Sequence, residues 1–231
     1  MKIIWNILFV LLLIPHISSA QGKKELLEKY KTFATAHLDS LKNQGAIIVL
    51  LKSKSRAIEA YEKAGNQKVA DEMMEHNNIL NKRLVKAYKT YWNFCPVYFM
   101  YNKDIEAFNN GQRDSIFIDS TLQASSSIHF TKSFYIFHDY GTFYEIQNKE
   151  HDSAPSKWKI DSYKNFNPSE GVPVKSDCIV VKDKMMYQYR YPFPDYVQTW
   201  GSTSGIKKAI ELLNSRFINA SKLGFDINAA F

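Results

Sequence analysis

Residues 46–51, Ala46-Ile47-Ile48-Val49-Leu50-Leu51, decide the fold. A continuous apolar run of this length, rich in β-branched side chains and bounded by Gly45 and Lys52, reads as a strand buried on both faces. That is the environment of a parallel or central strand beneath helices. Upstream, Leu26, Leu27, Tyr30, Phe33, Ala34, Leu38 and Leu41 recur at three- and four-residue spacing, which predicts a helix over 24–42 that stops at Asn43-Gln44-Gly45. Downstream, Ser53 or Ser55 is placed to cap a helix over 55–64 that ends at Gly65-Asn66. A longer helix follows over 67–91, with the stripe Val69, Met73, His76, Leu80, Leu84, Ala87 and Tyr91. The next apolar run, Phe94 to Tyr101, is a second strand. Pro96 has no N–H and so belongs at its start or on an unpaired edge. Strand, helical crossover and strand make a βαβ unit, with 46–51 and 96–101 parallel.

The second half of the chain reads as antiparallel. Ser115–Ile118 is a short strand. Ile128, Phe130, Phe134 and Ile136 share one face of an alternating stretch, Asp139-Tyr140-Gly141 reads as a turn, and 142–146 as the returning strand. Residues 147–177 are mostly loop, with Trp158, Ile160 and Tyr163 marking a short strand within it. Cys178–Val181 and Met185–Tyr191 form a hairpin across Lys182-Asp183-Lys184, a short strand follows at 196–200, and a helix over 204–222 closes the chain. The expected fold class is α/β: a mixed sheet, parallel in its N-terminal half and antiparallel in its second, flanked by helices.

Residues 1–20 carry a different message. Lys2, a twelve-residue apolar stretch from Ile3 to Ile14, Pro15 and the small residues Ser18, Ser19 and Ala20 have the layout of a secretory signal peptide cut after Ala20. The stretch is shorter than the roughly 20 residues that span a bilayer, and no later run is longer. The chain therefore divides into a signal peptide, 1–20, and a single domain, 21–231, expected in the periplasm or outside the cell with no transmembrane segment. The 231 residues include 14 Tyr, 15 Phe and 4 Trp, too apolar a set for a disordered chain. Two Cys exclude a disulfide-dense miniature fold and a zinc ribbon. The net charge of +7 is scattered, as on a solvated surface, and gives no reason to expect nucleic acid as a partner.

The motifs of familiar chemistry are mostly missing. There is no HExxH, Walker loop, GxGxxG or CxxC, and no cofactor is implied. Gly201-Ser202-Thr203-Ser204-Gly205 has the outline of a nucleophile elbow, but its central residue is Thr203. Ser156-x-x-Lys159 and Ser204-x-x-Lys207 lack the companion elements of serine penicillin-binding enzymes. Three constellations remain. His138, Asp139, Glu145 and His151 are candidate ligands for a hard or borderline divalent ion, or acid–base groups, if they converge. Cys95 and Cys178 open two apolar strands in an exported chain and form a disulfide if those strands adjoin. Tyr187, Tyr189, Tyr191, Phe193, Tyr196 and Trp200 form an aromatic band that stacks on a flat or ring-shaped ligand if exposed, and otherwise is one face of a buried sheet.

The segments Phe94-Cys95-Pro96-Val97-Tyr98-Phe99 and Pro192-Phe193-Pro194-Asp195-Tyr196-Val197, with the Gly45–Leu51 strand and the closing helix, resemble a group of exported Bacteroidota proteins of unknown function. The resemblance implies export and supplies no catalytic residue. The order of a βαβ unit, Val172-Pro173, a hairpin and a final helix is similar to thioredoxin-like folds, without their dithiol and with 102–170 as a large addition. The leading expectation is a non-enzymatic protein binding an envelope or extracellular component through the aromatic second half. The alternatives are a hydrolytic or metal-assisted enzyme around His138, and a thioredoxin-like scaffold that holds partners without redox turnover.

Overall fold

The computed structural model describes residues 25, 28–54, 56–145, 174–189, 193–199 and 202–224. Expectations for 1–20, and for Trp158, Ile160 and Tyr163, lie outside these residues.

Helix α1 (28–44) runs directly into strand β1 (Gly45–Leu51). Gly45 makes the junction possible, because a Cβ there would stand 2.6 Å from the Leu41 Cα. Every residue of β1 is buried, as its unbroken apolar run requires. The crossover consists of α2 (Arg56–Lys63) and α3 (Gln67–Tyr91), and leads to β2 (Val97–Tyr101), which lies parallel to β1 with Ile47 opposite Val97. Pro96 sits just ahead of β2, its carbonyl accepting from the Ile47 N–H at 3.0 Å. A short 3-10 turn (Asn102–Asp104) and α4 (Ile105–Asn109) then carry the chain across the opposite face to β3 (Phe134–Glu145), which pairs parallel with the other side of β1. Strand β4 (Val174–Lys182) is antiparallel to β3, β5 (Tyr196–Gln198) is antiparallel to β4, and α5 (Thr203–Leu223) follows. The sheet order is β2-β1-β3-β4-β5. The α/β class, the parallel N-terminal part and the antiparallel second part are therefore as the sequence implies.

Alternation along β1 sorts the core into two layers. Ile47, Val49 and Leu51 join Leu38 and Leu41 of α1, Leu84 and Tyr88 of α3, and Ile206, Ile210 and Phe217 of α5. Ala46, Ile48 and Leu50 face the other way, onto Met100, Phe108, Phe117, Phe130 and Phe137. The α3 stripe is rotated slightly from its expected setting: Asn81, Leu84, Val85 and Tyr88 are buried, while His76 is exposed.

Three local expectations are corrected. Asp139-Tyr140-Gly141 is not a turn, because β3 passes straight through it and pairs nine positions with β4. That ladder outweighs local turn preference, and Asp139 is satisfied in place by Lys182 Nζ at 2.6 Å. The hairpin of Cys178–Val181 with Met185–Tyr191 shortens to one antiparallel bridge, Lys182 with Gln188, flanked by bonds from Asp183 N–H to the Tyr187 carbonyl at 2.8 Å and from Tyr189 N–H to the Val181 carbonyl at 3.0 Å; 190 and 191 lie outside the described residues. The Asp183 carboxylate accepts from the N–H groups of Met185 and Tyr187, both at 2.9 Å, and Met186 has φ of 66°, so 183–187 form the turn, and β5 pairs with Cys178–Val180 further along β4. Residues 115–118 reduce to isolated bridges, Met100 with Phe117 and Ile118 with Ala124. The thioredoxin-like order is matched by β1–β2, β4–β5 and α5. Strand β3, drawn from the added segment, stands between its two halves.

Candidate ligand-binding surface

The catalytic candidates are separated by strand alternation. His138 and Asp139 are successive residues of β3, so their side chains leave opposite faces of the sheet. His138 is fully buried under α3 and α5, with Nδ1 2.8 Å from the Tyr88 hydroxyl and the Trp92 ring meeting it edge-on at 5.1 Å. Its Nε2 has no hydrogen-bond partner, and burial pushes its pKa down to about 3. A neutral imidazole enclosed by Tyr88, Trp92 and Phe217 is a core residue. Asp139 is committed to Lys182 on the other face. Glu145 ends β3, six positions along, and His151 lies outside the described residues. No group of three or more His, Cys, Asp or Glu side chains is placed to hold a metal ion among the described residues. The acid–base or metal constellation is thus not assembled at His138 and Asp139.

No disulfide joins Cys95 and Cys178. Their strands do not adjoin: β1 and β3 stand between β2 and β4, about 14 Å of sheet at ordinary strand spacing, and a disulfide needs Cα atoms within roughly 7 Å. Both side chains are buried, and burial pushes the Cys95 thiol up to about 12.

The aromatic band divides. Tyr189 and Phe193 are buried and stacked on each other, centroids 4.1 Å apart at 24°. The 193–196 segment lines the core: the Asp195 carbonyl accepts from Val181 N–H at 2.7 Å, and burial raises the Asp195 carboxyl above its usual range. Tyr196 is half-buried, and Tyr191 and Trp200 lie outside the described residues. Of the described residues of the band, Tyr187 stands out, 71% exposed beside Met185 at 65%.

The exposed aromatic surface has a second contributor that the sequence reading assigned to the core. Helix α1 turns Ala34, Leu38 and Leu41 inward, which leaves Tyr30, Phe33 and His37 as an adjacent stripe. Phe33 is 52% exposed, with its ring 3.9 Å from that of His37. His37 Nδ1 and the Tyr189 hydroxyl share a hydrogen bond at 2.8 Å, and the Phe134 ring meets His37 edge-on at 5.2 Å. Burial lowers the His37 pKa, and the Asp183 carboxylate partly opposes that shift. His37 therefore links the exposed stripe of α1 to the turn that carries Met185 and Tyr187. Ring contacts continue inward from Phe33 through His37, Tyr189 and Phe193 to Phe217 of α5. Rings held this way lose little conformational freedom on meeting a ligand, and their faces suit apolar or ring-shaped chemistry. The sequence signal was present in the spacing of Tyr30, Phe33 and His37, one position off the buried stripe.

The Gly201–Gly205 motif has a structural explanation. The Ser202 hydroxyl caps α5, accepting from Gly205 N–H at 3.0 Å, and a Cβ on Gly205 would lie 1.7 Å from the Thr199 carbonyl oxygen.

Compared with protein-family models, with curated proteins and with solved structures, the chain matches none. Among the described residues, no helix is long and apolar enough to cross a membrane.

Proposed function

We propose that this is an exported, non-enzymatic binding protein that holds an envelope or extracellular component on the surface formed by α1 and the 183–187 turn. The observation that carries the reading is the pairing of exposed rings, Phe33 and Tyr187, with a buried chain of rings behind Phe33. Phe33 is joined through His37 and Tyr189 to the segment that carries Tyr187, and a contiguous exposed apolar patch marks a partner site. Export rests on the signal-peptide layout of residues 1–20 and on the likeness of the FCPVYF and PFPDYV segments to exported Bacteroidota proteins. The separation of His138 from Asp139 weighs against the hydrolytic alternative.

Co-sedimentation with purified envelope material tests the proposal. The protein should pellet with it, and Phe33→Ser/Tyr187→Ser should not, while keeping the parent's unfolding free energy to within about 1 kcal/mol, since exposed positions matter little to stability. Equal sedimentation of the two proteins would refute it.

A further inference from the structure

Charges that are scattered along the chain as a whole are sorted by sign along one face of α3. The helix turns Asn81, Leu84, Val85 and Tyr88 toward the core. On the opposite, exposed side its first half carries Asp71, Glu72 and Glu75, with Lys68 one turn earlier. Its second half carries Lys82, Arg83, Lys86 and Lys89, all exposed. At 3.6 residues per turn these positions share about one third of the helix circumference. Between the two halves stands Ile79, a large apolar side chain 39% exposed on the same face.

The usual reasons for charge on a helix do not account for this pattern. The macrodipole acts within the first and last turns, yet the first turn holds no acid and the last holds only Lys89. Intrahelical ion pairs need a spacing of three or four residues, and Glu75 and Lys82 are seven apart. Among the described residues no side chain of α3 joins an ion pair. The spacings that do occur, Asp71 with Glu75, Lys82 with Lys86 and Arg83 with Lys86, set like charges side by side, which weakens a lone helix. Asp71 accepts from Gln67 Nε2 at 2.8 Å, and Lys89 lies near enough to Asp119 to lower its pKa. The groups left without a partner of opposite charge are Glu72 and Glu75 on one side of Ile79, and Arg83 and Lys86 on the other.

Their positions are symmetric. Glu75 and Arg83 each stand four residues from Ile79, and Glu72 and Lys86 each stand seven. At 1.5 Å per residue that is about 6 Å and about 10 Å on either side. We propose that this face of α3 is the contact between two copies of the chain, antiparallel across a two-fold axis at Ile79. The axis sets Glu75 against the partner's Arg83 and Glu72 against the partner's Lys86, and repeats both pairs by symmetry. An isologous contact requires this kind of self-complementarity, and an apolar centre inside a charged rim is ordinary interface anatomy. Lys68 falls opposite the partner's Lys89 only at the far ends, where crossed helices diverge. Exposed ion pairs contribute modestly and are screened by salt, so the association is weak and salt-sensitive. It does not involve Phe33 or Tyr187 and does not rest on the function proposed for them.

Sedimentation velocity of the purified protein tests the proposal. The parent should self-associate with rising concentration, and raising salt from about 0.05 M to about 0.5 M should weaken this about tenfold. Arg83→Glu/Lys86→Glu reverses the basic half, and Glu72→Lys/Glu75→Lys reverses the acidic half. Each alone should lose association by about tenfold or more, because like charges then meet across the axis. An equimolar mixture of the two should associate again, at least as tightly as the parent, which also shows that both variants are folded. Lys208→Glu/Lys222→Glu, the same change in charge on α5, should leave association unchanged. A parent that stays monomeric, or a mixture of the reversed variants that does not associate, would overturn the proposal. So would a monomeric parent that binds phosphatidylglycerol vesicles through Arg83 and Lys86, which would assign the basic half to an anionic surface instead.

Discussion

Lowering the pH should destabilise this protein through His138. In the folded state the imidazole is enclosed by Tyr88, Trp92 and Phe217, and its pKa is about 3; in the unfolded chain it is about 6.5. Below that value the unfolded chain takes up a proton that the folded chain excludes. The stabilisation is therefore complete above about pH 6.5 and is lost as pH falls toward 3. Linkage puts the loss at about 2 kcal/mol by pH 5 and about 3 kcal/mol by pH 4, against a total stability of roughly 5–15 kcal/mol for a domain. His37, whose pKa is also lowered, contributes in the same direction. The contribution of His138 is isolated by Tyr88→Phe/His138→Leu, which removes the titrating ring without leaving the Tyr88 hydroxyl unpaired. Urea unfolding followed by circular dichroism at about pH 7.5 and about pH 5 gives the comparison. The parent should lose about 2 kcal/mol more than the variant over this interval. Equal losses would mean that the folded protein accepts the proton at His138, and the dry enclosure would be refuted.

Other consequences follow from single contacts. Gly205→Ala should destabilise by roughly 3 kcal/mol or more in the same unfolding assay, because the new methyl meets the Thr199 carbonyl oxygen at 1.7 Å. Asn81→Ala strips both backbone groups of Lys52 of their partner and should cost about 2–4 kcal/mol, with hydrogen exchange at Lys52 accelerated accordingly. Ser202→Ala removes the α5 cap and should cost about 1 kcal/mol. With its thiol raised to about 12, Cys95 should resist alkylation in the native protein at neutral pH, and reductant should not change the migration of the denatured chain.

The parts of the fold legible in the sequence are those where period and burial agree. The β1 run, its helical crossover, β2 and α5 all announce themselves, because continuous apolar runs and 3.6-residue stripes report burial directly. Asp139-Tyr140-Gly141 misleads because its turn-forming composition is overruled by a long ladder with β4, a contact between distant segments that no local pattern records. Tyr187 and Tyr189 fall on one face of the expected strand, yet the Asp183 carboxylate draws 183–187 into a turn, and Tyr189 goes into the core while Tyr187 stays in solvent. The pairing of Cys95 with Cys178 depended on strand order alone, which composition does not encode. The surface of α1 was half visible: Tyr30 and Phe33 fit the helical pattern, but only the packing of α1 on the sheet separates the stripe that is buried from the one beside it.

The binding surface is tested most directly by placing the photo-reactive residue p-benzoylphenylalanine at positions 33, 187 and 212 in turn, and irradiating intact cells that export the protein. Leu212 is exposed on α5 and serves as the control. Binding through α1 and the 183–187 turn predicts the same covalent adduct from positions 33 and 187 and none from 212. An adduct from 212 alone, or no adduct at 33 and 187, would contradict it.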